Sequence, residues 1–164
     1  MTRTSDISPP HPTSPVAVVD LLNSLLEAEL NSMFRFMGEG SPYLSRASAE
    51  VRRPLQEMVL AERRRAAEIA NLIDLLGSVP TPAVGIRRDE QYLAFLSLKF
   101  LLPKLVTEKK LHIERYENAL RRMRGLPNAP AEAVALVQSH LAELQSELAA
   151  LQQAATQVAG HPPK

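Results

Sequence analysis

Apolar side chains recur along this chain at spacings of three and four, in four long runs separated by turn-forming residues. That period is the one an α-helix needs to present a single apolar stripe. The first run, Leu22, Leu26, Met33 and Phe36, follows Ser14-Pro15, a cap residue and a proline suited to a first helical turn. It ends at Gly38, Gly40 and Pro42. The second, Leu55, Met58, Ile69, Leu72 and Leu76, starts between Ser48 and Pro54 and is stopped by Gly77. The third runs from Asp89, a good N-cap, to Arg124, where Gly125 and Pro127 end it; Pro103 inside it predicts a kink or a break. The fourth spans Pro130 to about Val158, with Val134, Val137, Leu141, Leu144, Leu148, Leu151, Ala155 and Val158 forming the seam of a bundle.

The link between the second and third runs sets the topology. A helix over 51–76 is about 39 Å long. The segment from Gly77 to Asp89 can reach roughly 43 Å when extended, far more than a hairpin needs. It is long enough to travel the length of the bundle, so helices 2 and 3 are expected to be parallel. The alternative is a floppy loop between antiparallel helices.

Composition narrows the function classes. The chain has 164 residues, enough for one domain with a core of its own, and 19 basic residues against 18 acidic. Such a balance points to no nucleic-acid partner. There is no cysteine, which excludes disulfide scaffolds, thiolate metal sites and cysteine nucleophiles. No stretch is apolar enough to span a membrane, and the first 15 residues have four prolines and no apolar core of a signal peptide. The expected organisation is a disordered arm over 1–15, a helical bundle over 16–159 and a tail over 160–164, in the cytoplasm and without a membrane partner.

Each apolar stripe is interrupted by ionisable residues near its middle. Helix 1 has Glu29 between Leu26 and Met33. Helix 2 has Glu62 and Arg65 in the frame 55, 58, 62, 65, 69, 72, 76. Helix 3 has Glu108 with His112 one turn on, and helix 4 has His140 beside Val137 and Leu141. A charge in a core is costly unless it is paired or binds metal.

These residues carry a resemblance. Helix 1 reads LLEAELNSMFRF, helix 2 AERRRAAEIANLIDLLG, helix 3 LVTEKKLHIERYENAL and helix 4 VALVQSHLAELQSEL. The chain resembles the ferritin-like superfamily, bacterioferritin and rubrerythrin in particular, over about residues 16–158. The resemblance implies an all-α, ferritin-like four-helix bundle with a long crossover between helices 2 and 3. It also implies a di-iron centre built from one Glu on each of two helices and a Glu-x-x-His on each of the other two. Glu29, Glu62 and Glu108 match the first three family glutamates and His140 the last histidine.

The departures point away from a standard ferroxidase. The first Glu-x-x-His has become Glu62-x-x-Arg65 and the second Val137-x-x-His140. An arginine stays protonated and cannot ligate as a neutral nitrogen. Arg65 is therefore expected to be a cation that blocks the site and pairs with core carboxylates, in a non-catalytic protein. The alternative is an iron- or manganese-dependent redox protein with a reduced, mononuclear site held by Glu62, Glu108, His140 and Glu29 or His112. Arg63 follows Glu62 where bacterioferritin has its haem-binding methionine, so no haem is expected. The chain ends with helix 4, without the fifth helix of cage ferritins, so the expected assembly is a homodimer or small homo-oligomer.

Overall fold

A computed structural model of the chain describes residues 14–37, 49–85 and 97–160. They form five helices: α1 (Ser14–Leu30), α2 (Phe34–Met37), α3 (Ala49–Leu75), α4 (Leu98–Gly125) and α5 (Ala131–Ala159). The expected arm up to residue 13, the tail from 161 and the helix start at Asp89 lie outside the described residues.

Four of these helices make the bundle. α1 packs on α3 and α4, and α5 packs on α4 and α3. Their direction follows from two separate apolar clusters. One joins Leu22 and Leu26 of α1, Ile69 and Ile73 of α3, Tyr116 and Met123 of α4, and Ala133 and Val137 of α5. The other joins Phe34 of α2, Leu55 of α3, Leu102 of α4 and Leu151 of α5. The end of α3 thus lies beside the end of α4, and their starts share the opposite pole. The two helices are parallel, so the link from the end of α3 to the start of α4 joins opposite poles of the bundle.

The described part of that crossover is tied to α1. The backbone N–H of Thr81 donates to Asn23 Oδ1 at 2.8 Å, and Asn31 both donates to Ala83 O at 2.9 Å and accepts from Gly85 N at 3.0 Å. The segment begins with a tight stop. Gly77 has φ +79°, Ser78 N donates to Ile73 O at 3.1 Å and Gly77 N to Asp74 O at 3.0 Å. These paired bonds satisfy carbonyls that a helix end leaves open, and they need a residue that tolerates the left-handed region.

Two expectations about the helices need correction. The first helix does not run unbroken to Gly38; it breaks at residues 31–33 and restarts as α2. There the amide of Met33 donates to both oxygens of Glu108, at 3.0 and 2.9 Å, and that of Phe34 to Ser32 Oγ at 3.0 Å. Partners from outside the helix have replaced the carbonyls one turn back. Conversely, α4 does not break at Pro103. Its start at Leu98 places the proline in the second turn, where α4 continues through it. Pro54 likewise lies inside α3. Among the described residues no helix is long and apolar enough to cross a membrane.

Candidate functional site

Between the two apolar clusters lies a layer of ionisable side chains, one set from each long helix. The reason is the same in every helix: a polar residue occupies a position of the buried three-four repeat. In α3 the buried positions run Met58, Glu62, Arg65, Ile69; in α4 Leu105, Lys109, His112, Tyr116; in α5 Val137, His140, Leu144, Leu151. α1 contributes Glu29, one residue before its end.

Arg65 is at the centre and fully buried. Its Nε donates to Glu29 Oε1 at 2.9 Å and its Nη1 to Glu147 Oε1 at 2.7 Å. Lys109, also buried, donates from Nζ to Glu147 Oε2 at 2.7 Å, lies 3.9 Å from Glu62 Oε1 and sits 4.3 Å above the Phe34 ring. Glu29 Oε1 also accepts the Tyr116 hydroxyl at 2.6 Å. The Ser32 hydroxyl faces both oxygens of Glu62, at 2.6 and 2.8 Å. Glu143, near the surface, links this layer to Arg64 at 2.6 Å.

Burial and charge act against each other here. Burial pushes Glu62 up to about 8, against the pull of Lys109, so at neutral pH it is mostly protonated. Burial also raises Glu29, while Arg65 and Tyr116 pull it back. Burial alone would raise Glu147 too, but Lys109 and Arg65 outweigh it and hold its carboxyl below the usual range. Burial, reinforced by Lys109 and Arg65, lowers His112 to about 3, so its imidazole is neutral. For Arg65 the Glu29 and Glu147 carboxylates outweigh burial, and it stays charged.

The residues singled out from sequence divide into two groups. Glu29, Glu62 and His112 converge, each offering a ligand atom within 4.8 Å of the others. Glu29 Oε2 and His112 Nε2 are buried without a hydrogen-bond partner. Glu108 and His140 are not members of that trio: Glu108 accepts the amide of Met33, and His140 Nε2 meets Glu68 Oε2 at 2.7 Å. Lys109, Glu147, Ser32, Tyr116 and Glu68 were not singled out. The signal for the first two was present, since Lys109 is four residues after Leu105, and Glu147 falls between Leu144 and Leu151 at three-four spacing.

A cavity of about 310 Å³ between α1 and α3 reaches Glu29 and Glu62, with Arg35 and Arg63 in its lining. On another face, a groove of about 350 Å³ between α3 and α5 is lined by Glu57, Met58, Arg64, Glu143 and Glu147.

No protein-family profile matches the chain, and no curated protein matches it by sequence. Solved structures do. The bacterioferritin of Desulfovibrio desulfuricans, described with its di-iron site in different catalytic states, aligns at a TM-score of 0.72 and 17% identity over 88% of this chain and 81% of its own. A point mutant of Mycobacterium smegmatis Dps1 aligns at 0.67 and 16% identity, covering 87% and 97%. The dodecameric thioferritin of Bacteroides fragilis, a bacterioferritin-related protein, aligns at 0.66 and 22% identity, covering 90% and 89%. These neighbours overturn the expectation of a homodimer or small homo-oligomer. A four-helix chain is not confined to small assemblies, because a chain matched over 89% of its length by this one is a dodecamer. Helix order, the parallel α3 and α4 with a link between opposite poles, and these alignments together establish the fold as that of the ferritin-like superfamily.

Proposed function

We propose that this is a ferritin-like protein whose di-metal centre has degenerated into a buried ion-pair network, so that it does not work as a standard ferroxidase. The observation that carries this reading is Arg65, fully buried and hydrogen-bonded to both Glu29 and Glu147. Two carboxylate-bridged ions do not suit this donor set. Glu29 Oε1 is engaged by Arg65 and Tyr116, and Glu62 by Ser32 with Lys109 nearby. Glu108 and His140 are committed to Met33 and Glu68. A second positive charge where an ion would sit opposes its entry.

One observation favours a second reading. Glu29 Oε2 and His112 Nε2, neither with a hydrogen-bond partner although Nε2 lies 3.4 Å from Glu29 Oε1, form with Glu62 a donor set for a single iron or manganese ion. Metal analysis of the protein purified without chelator separates the two. The network reading expects far less than one ion per chain. Stoichiometric iron or manganese, lost together with stability on chelation, would replace it with the mononuclear site.

By analogy with its dodecameric neighbour, the chain assembles into a large oligomer. Light scattering should give a mass many times the 18.1 kDa of one chain.

A further inference from the structure

We infer that Lys109 is a tethered ion: its ammonium group fills a cation cradle made by Glu147, Glu62 and the face of Phe34, and this cradle will take a free cation when the tether is cut. The inference rests on the degenerate-centre reading and extends it from Arg65 to a second, separate position.

The cradle is built on three sides. Glu147 Oε2 lies 2.7 Å from Nζ, Glu62 Oε1 lies 3.9 Å away, and the Phe34 ring presents its face at 4.3 Å. The Glu147 carboxylate, the Glu62 carboxyl oxygen and an aromatic face all favour a compact positive charge, with little demand on how it is connected to the backbone. Arg65 does not fill this place. Its guanidinium takes Glu147 mainly through Oε1, at 2.7 Å, leaving Oε2 to Lys109. Glu29, Glu62 and Glu147 thus face two resident cations at two positions, with Glu147 the charged wall of the cradle and Glu62 turning a carboxyl oxygen to it. Nothing in the cradle identifies the lysine as such; it identifies a cation. The cradle is also within reach of solvent, because Glu147 lines the α3–α5 groove and Glu62 the α1–α3 cavity.

The test deletes the tether and supplies its end. Lys109→Ala removes three methylenes and the ammonium, which n-propylammonium replaces. The expected result is a lowered Tm for Lys109→Ala, restored saturably by millimolar n-propylammonium chloride and not by sodium chloride or n-propanol. Wild type should show no such shift. Lys109→Met, which fills the space without charge, should be insensitive to the amine. If Lys109→Ala does not fold unaided, its refolding yield from urea with and without n-propylammonium gives the same reading. No rescue in either assay overturns the inference. In addition, Arg65→Ala/Lys109→Ala should bind Co(II), seen as d–d absorption or as metal-dependent refolding, where wild type binds none. Co(II) bound stoichiometrically by wild type would instead overturn the degenerate-centre reading. An inert wild type with equally inert variants would leave that reading standing and remove only this one.

Discussion

Arg65 and Glu29 meet at 2.9 Å with both side chains fully out of contact with solvent. Isolated, either charge would be intolerable at that depth, and together they still need the further bonds that Glu147 and Tyr116 supply. Arg65→Met keeps most of the volume and removes the charge, leaving Glu29 and Glu147 each short of a donor. It should cost about 3–5 kcal/mol in urea unfolding, the range for a buried pair broken on one side. A loss below about 1 kcal/mol, the level of a surface pair, would mean that the network does not hold the core.

Stability should depend on pH chiefly through Glu62 and His112, moved in opposite directions, with the raised Glu29 acting in the same sense as Glu62 and the lowered Glu147 in the same sense as His112. Glu62 titrates at 4.5 in its ordinary state and about 8 in the fold; His112 moves from 6.5 to about 3. Between 6.5 and 8 the native state keeps a proton on Glu62 that the unfolded chain has lost, so stability falls as pH rises. Between 4.5 and 6.5 the proton on folded Glu62 and the proton on unfolded His112 cancel, which leaves the raised Glu29 to make stability fall as pH rises. Between 3 and 4.5 the unfolded chain holds both, so stability falls as pH drops. Each of these groups contributes a slope of up to about 1.4 kcal/mol per pH unit. Denaturation across this range should show Glu62→Gln flattening the upper limb and His112→Gln the lower.

Glu108 is expected to matter through the backbone rather than through chemistry at the centre. Its carboxylate is the acceptor for the Met33 amide at the break between α1 and α2. Glu108→Ala should cost about 1–3 kcal/mol, as for an unsatisfied buried group, and accelerate hydrogen exchange over residues 31–37. Ser32→Ala, which removes the acceptor for Phe34 and a contact to Glu62, should affect the same amides. Unchanged exchange there would show that the break holds without these side chains.

The bundle's topology was readable from the chain because it rests on long-range periodicity and one loop length. The 58–62–65–69 frame of helix 2 was long enough to expose Glu62 and Arg65 as core residues. Glu147 was missed for a geometric reason, and Lys109 because Glu108, its neighbour, was placed on the buried face instead. The stripe expected for helix 4 joined Leu144 and Leu151 through Leu141 and Leu148, both half-buried, whereas the deeper line joins them through His140 and Glu147. Shifting the line by one position turns a helix face by about 100°. The break at 31–33 could not be read locally, since it depends on a carboxylate 75 residues away.

Gly77 offers a backbone test independent of the site. Its φ of +79° suits glycine, while no atom beyond its chain neighbours lies within 4 Å of where a Cβ would be. Gly77→Ala should therefore cost about 1–2 kcal/mol from conformation alone. A neutral effect on Tm would mean the crossover can begin in another geometry.

The charged layer splits the apolar interior into two blocks that do not merge, and this gives the four long helices a vernier. A purely greasy seam tolerates sliding by one turn, about 5.4 Å, because leucine replaces leucine. Here such a slip would carry Lys109 or Arg65 into a block of leucines and isoleucines, stranding a full charge and leaving its carboxylates behind. Only one axial alignment lets all the charges meet. These buried charges thus do the work of a ruler, setting how far each helix may travel before the bundle closes.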